Sequence, residues 1–139
     1  LCVAALCNIN NDLNATWEML EYLNGPTQWS QSQKELVNRR LLKSKDNKSY
    51  ITYAFFDGAT PANSYTPTIP YTIKVTSDKN SFSEDGGYKW AKVYLHSGGA
   101  DSPAPITMRY KESTGRWFVT NVMIALTDIR TPADKDPWK

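Results

Sequence analysis

"YKWAKVYLHSGGADSPAPITMRYKESTGRWFVTN", residues 88–121, decides how this chain folds. Up to His96 it alternates. Ala91, Val93 and Leu95 fall on one side, and Trp90, Lys92, Tyr94 and His96 on the other. A period of two is the mark of a half-buried strand, because successive side chains point to opposite faces of a sheet. The alternation resumes after a loop, with Ile106, Met108 and Tyr110 set against Thr107, Arg109 and Lys111. "ESTG" at 112–115 is a tight turn, and it leads into a last strand around Trp117–Asn121. Strands joined this closely pair antiparallel, so the stretch predicts a meander.

Upstream, Tyr71, Ile73 and Val75 alternate with Thr72, Lys74 and Thr76, which predicts a further half-buried strand. Tyr50–Phe56 is expected to add a short edge strand. The segment "FFDGATPANSYTPTIP" that follows it is rich in proline and turn formers.

The first third reads as helix. Residues 2–9 predict one short helix, which "NINND" interrupts. Asp12 is placed to cap a second, whose Leu13, Trp17, Leu20 and Leu23 recur at helical spacing. "NGP" at 24–26 stops it, since Gly25 tolerates positive φ and Pro26 cannot continue a helix. Ser30 with Gln33, and Ser32 with Glu35, are two overlapping capping boxes for a third helix, whose buried stripe is Leu36, Val37 and Leu41. Arg39, Arg40, Lys43 and Lys45 crowd its C-terminal end. That cluster reads as cations complementing the helix dipole on a solvated face, in preference to an anion-binding patch.

Helices first and a meander second is an α+β order. The expected architecture is two or three N-terminal helices packed on a curved antiparallel sheet of four to five strands, a layout shared by cystatin-like and NTF2-like folds. Residues 1–139 are expected to form a single domain. Its helical part covers about 1–45, its β meander about 50–125, and a short tail follows.

Composition narrows the function classes. With 40% hydrophobic and 22% charged residues, the chain has an ordinary water-soluble globular make-up. A net charge of +2 is too small to imply a nucleic-acid or membrane partner. No apolar run approaches the ~20 residues of a membrane span. "LCVAALC" is not preceded by methionine, so residues can precede it. It lacks the basic flank and the small residue before cysteine that a secretion or lipoprotein signal needs, and a short buried helix is the expectation. Cys2 and Cys7 lie five apart, which on a helix turns them about 140° from each other. They can neither bridge nor chelate together, and a cytoplasmic compartment is the default.

Several chemistries fail at the level of spacing. His96, Ser97 and Asp101 look like a triad, but neighbours on a strand diverge, and no G-x-S-x-G elbow occurs. No Walker or dinucleotide-binding glycine motif is present, and Ser97-Gly98-Gly99 reads as turn geometry before it reads as an anion nest. One histidine and two badly spaced cysteines leave no zinc pattern, and no cofactor is implied. Asp136 is placed to start a turn before Pro137, with Trp138 expected to anchor the tail.

What remains is a candidate ligand-binding set of Trp90, Tyr94, His96, Ser97, Asp101 and Arg109. The first three share a strand face, and Arg109 lies on the polar face of the next strand. Aromatic rings beside a histidine and an arginine suit a small anionic or planar ligand, although packing beneath a helix or loop, with polar tips bonded or solvated, is the preferred reading. Residues 97–105 form a loop longer than most hairpin connections, stiffened by Pro103 and Pro105, with Asp101 expected to form an Asx-turn over Ser102 and Pro103. A long loop held rigid has a specific shape, which favours a binding role.

"DGATPANSYTP", "YTIKV", "SGGADSPAPITMR", "WFV", "DIRTP" and "DPW" occur here in this order, and "WEMLEYLNGP" precedes them. In this the chain resembles an uncharacterised bacterial family of unknown function, over nearly its whole length. The family pattern carries arginine where this chain has Ala104, which argues against an anion clamp in the loop. The resemblance implies one domain and no assigned activity. The leading expectation is a non-enzymatic binding or interaction module with a protein or small-molecule partner. The alternative is a ligand-binding protein or enzyme with a pocket between helices and sheet, as in NTF2-like domains.

Overall fold

The computed structural model describes all 139 residues. Four helices come first: α1 (Cys2–Cys7), α2 (Leu13–Asn24), α3 (Gln31–Leu41) and the single turn α4 (Tyr50–Tyr53). Five strands follow: β1 (Val75–Thr76), β2 (Phe82–Asp85), β3 (Tyr88–Leu95), β4 (Ala104–Lys111) and β5 (Arg116–Asn121). The fold is α+β, with helices before an antiparallel sheet, as the order of periodicities predicted.

The helix ends use the signals read from the sequence. The Asp12 carboxylate accepts the Ala15 N–H at 2.9 Å and starts α2. Gly25 ends it at φ +63°, where a Cβ would also lie 2.5 Å from the Phe118 ring. Of the two candidate boxes at α3, Ser30 with Gln33 forms: each side chain accepts the other's backbone N–H, at 3.2 and 2.9 Å. Asn10, in the segment that interrupts the helices, ties down the far end of α3. Its amide donates to Leu41 O and its carbonyl accepts from Lys43 N.

β3, β4 and β5 form the predicted meander, with Val93 opposite Ile106 and Met108 opposite Val119. β1 and β2 both pair with the remaining edge of β3, β1 at its C-terminal end and β2 at its N-terminal end. They are two pieces of one edge strand, interrupted at residues 77–81. The predicted strand over 71–76 is therefore cut to Val75–Thr76, and Tyr71 and Val75 are exposed. With Pro70 just before it and one neighbour only, that segment gains little from pairing. The expected edge strand at Tyr50–Phe56 is corrected outright: it is helix α4, and only Phe56 makes an isolated bridge, to Ile73. Thr52 shows why, since its hydroxyl donates back to Ser49 O and supports a helical turn against its β propensity.

Fourteen buried side chains form the main core, among them Leu6, Ile9, Leu20, Val37, Leu41, Ile51, Leu95, Ile106 and Leu126. The helices thus cover the face of the sheet that carries Val93, Leu95, Ala104 and Ile106. Trp17 and Trp29 close the helical layer edge to face, at 5.3 Å between centroids. Trp117 on β5 is 37% exposed, with its ring beside those of Phe82 and Tyr110. One aromatic expectation fails. Trp138 does not anchor the tail: the Asp136 turn forms, but the indole is 93% exposed. No helix is long and apolar enough to cross a membrane.

Candidate functional site

The loop after β3 plugs into the body of the protein. Ser97 Oγ donates to Ala54 O at 2.8 Å and accepts the Gly99 N–H at 3.0 Å, while Gly98 N–H donates to Ala54 O. A Cβ on Gly98 would meet Ala59 O at 2.1 Å, and one on Gly99 would meet the Tyr65 hydroxyl at 2.3 Å. The glycine pair is there for close approach, so it serves neither as a phosphate cradle nor as a free turn. Tyr65 Oη in turn donates to Arg130 O at 2.7 Å, and Arg130 N–H donates to Gly99 O at 2.9 Å. Burial pushes the Tyr65 phenol up to about 12, with Tyr50 stacked alongside adding to the shift. Three segments far apart in sequence, around Ala59–Tyr65, Ser97–Gly99 and Asp128–Arg130, are locked into one knot.

Beside this knot lies a groove of about 390 Å³ between residues 100–105 and 124–130. Phe55 and Ala125 give it an apolar floor, and Ile124 stands half exposed on its wall. Pro103 and Pro105 carry no N–H, so the start of β4, which β5 leaves uncovered beyond Thr107, has lost two donors. The expected Asx-turn at Asp101 is absent. Its carboxylate instead pairs with the Arg130 guanidinium across the groove mouth, and Ser97 makes the side-chain turn. Asp128 also lines the groove and holds a left-handed backbone at φ +44°.

The other candidates lie elsewhere. Trp90, Lys92, Tyr94 and His96 share the outer face of β3, and Trp90 stands opposite Arg109, which stands opposite Phe118 on β5. The Arg109 guanidinium carbon sits 4.1 Å from the Tyr88 ring centroid and 5.2 Å from that of Trp90. No acceptor in the protein bonds it. A trough of about 500 Å³ opens over Arg109 and Phe118, between Tyr88 and the Pro26–Thr27 turn. His96 is occupied otherwise: its Nε2 and the Thr76 hydroxyl are 2.7 Å apart, and its N–H donates to Lys74 O, so it staples β1 to β3.

His96 and Ser97 therefore have separate partners and form no dyad. No three acid, histidine or cysteine side chains converge. The enclosed pocket between helices and sheet, expected as the alternative, is not formed around Trp90, Tyr94, His96 and Arg109. The helix–sheet space is filled by the core, and those four stand on the opposite face.

A family model matches residues 1–133. The chain belongs to that family, described as a domain of unknown function, DUF6935. No curated protein and no solved structure matches it. Within this member of DUF6935 the six candidate residues divide between two regions, Ser97 and Asp101 at the knot and groove, and Trp90, Tyr94 and Arg109 on the outer face with His96 at its margin. Three residues escaped sequence reading. Tyr88 has the parity of Trp90, so its place beside Arg109 was open to the same alternation argument. Asp128 and Arg130 carry no local signal that sets them against Asp101, because only tertiary packing joins segments 29 residues apart.

Proposed function

We propose that this domain is a non-enzymatic binding module whose groove receives an extended peptide segment of a protein partner. The observation that carries the reading is the groove's combination of fixed walls and an open lining. Its walls are tied by the Tyr65–Arg130, Arg130–Gly99 and Ser97–Ala54 bonds, while its floor stays apolar and unfilled. Preformed walls spare a ligand the free energy of ordering them. The chemistry at the rim favours one kind of peptide. Arg130 is engaged by Asp101, which leaves the Asp128 carboxylate as the free charge at the groove. The prolines add acceptors without donors. A segment with an apolar side chain next to a lysine or arginine meets both demands.

The test is selection of short random peptides displayed against the full chain. Enriched sequences are expected to pair an apolar residue with a basic one, and to lose affinity for Ile124→Ser and for Asp128→Asn. The second variant keeps a residue that tolerates positive φ, so a loss reports charge and not backbone strain. Enriched peptides that bind both variants as well as the parent, or no enrichment at all, overturn the reading.

A further inference from the structure

Counting charges by face changes what a total of +2 means. The outer faces of β3 and β4 carry Lys92, Arg109 and Lys111, and no carboxylate. Arg116 stands opposite Lys111 on β5 and donates to the Tyr22 hydroxyl of α2. Two acids border this face: Asp85, opposite Tyr88 on β2, and Glu112, which lines the trough and is paired with Lys89. The same face exposes aromatic rings: Tyr88 is 54% exposed and Trp90 is 38% exposed. Near-neutrality of the whole chain averages over a locally basic, aromatic surface.

We propose that this outer face binds single-stranded nucleic acid. Bases would stack on Tyr88 and Trp90, and phosphates would meet Arg109, Lys92 and Lys111. The proposal is independent of the groove. Its occupant follows from three features. Arg109 offers a guanidinium fork that no protein acceptor uses, held against aromatic faces, which is the geometry that recognises a phosphate beside a ring. The cations are spread along two strands rather than gathered at one point, with Arg109 and Lys111 about 7 Å apart along β4, so an extended polyanion fits better than a single headgroup. Exposed aromatics on an open antiparallel sheet can stack only bases that are free of a duplex.

The test is fluorescence anisotropy of a labelled mixed-sequence oligonucleotide of about 12 nucleotides, titrated with the full chain from about 50 mM salt upward. Three phosphate contacts predict a log K against log salt slope of about −2. Trp90→Ala and Arg109→Gln are each expected to weaken binding about tenfold or more, and Lys92→Gln to make the slope shallower by about 0.7. Lys92 is exposed, so that variant stays informative if the others destabilise the fold. Duplex of the same sequence is expected to bind much more weakly. No binding at low salt overturns the proposal. So does equal affinity for duplex, unchanged binding by a folded Trp90→Ala, or tighter binding of heparin than of the oligonucleotide.

Discussion

At its C-terminal end β3 runs into Gly98 and Gly99, whose missing side chains leave room for Ala59 O and the Tyr65 hydroxyl; at its N-terminal end it carries Tyr88 and Trp90, with rings open to water. One strand thus joins a region where backbone packs closely on backbone to a region where large side chains are left uncovered. Close packing of backbone against backbone fixes a shape. Uncovered aromatics beside an unpaired arginine hold contact area in reserve. The difference marks the glycine-rich loop as scaffold, and it is the basis on which the alternating aromatics are proposed as a contact surface.

Substitutions at glycine should break this comparison most visibly. Gly98→Ala places a methyl 2.1 Å from a backbone oxygen that cannot rotate away, and is expected to lower stability by about 3 kcal/mol in urea melts. Gly87→Ala, at the mouth of the outer face, meets no atom within 4 Å and bears only the strain of φ +81°. It is expected to cost about 1 kcal/mol. Equal losses at the two positions would remove the distinction.

A smaller effect should sharpen it. Tyr65→Phe leaves Arg130 O without its donor and should cost about 1–2 kcal/mol near neutral pH. The pH dependence has a definite sign. Above about pH 10 the unfolded chain ionises this phenol, while the folded protein keeps the proton up to about 12. The unfolded state then binds fewer protons, so stability falls as pH rises through that window. The parent is expected to lose stability there faster than Tyr65→Phe, narrowing the gap between them. Parallel curves would mean that Tyr65 is not buried as described.

The sequence made the sheet legible where one face is buried and the other is not. Alternation over Tyr88–Leu95 and Ala104–Lys111 works because a shift of one residue would put Lys92 or Arg109 into the core. It failed at Tyr71–Val75, where the chain is exposed on an edge and the pattern has nothing to enforce it. Caps were legible because Asp12 and Ser30 act on residues three positions away. The knot was not, since Tyr65, Gly99 and Arg130 meet only after the whole chain folds. The same limit hid the Asp101–Arg130 pair, and made adjacency of His96 and Ser97 look like proximity.

Amide hydrogen exchange tests the scaffold most directly. The Gly98 N–H, bonded to Ala54 O, and the Arg130 N–H, bonded to Gly99 O, both lie in loops. If the knot is a rigid part of the fold, these two amides exchange as slowly as those in the centre of β3 and β4. Exchange as fast as in the exposed turn at 112–115 would contradict the account, because the groove would then have no fixed wall.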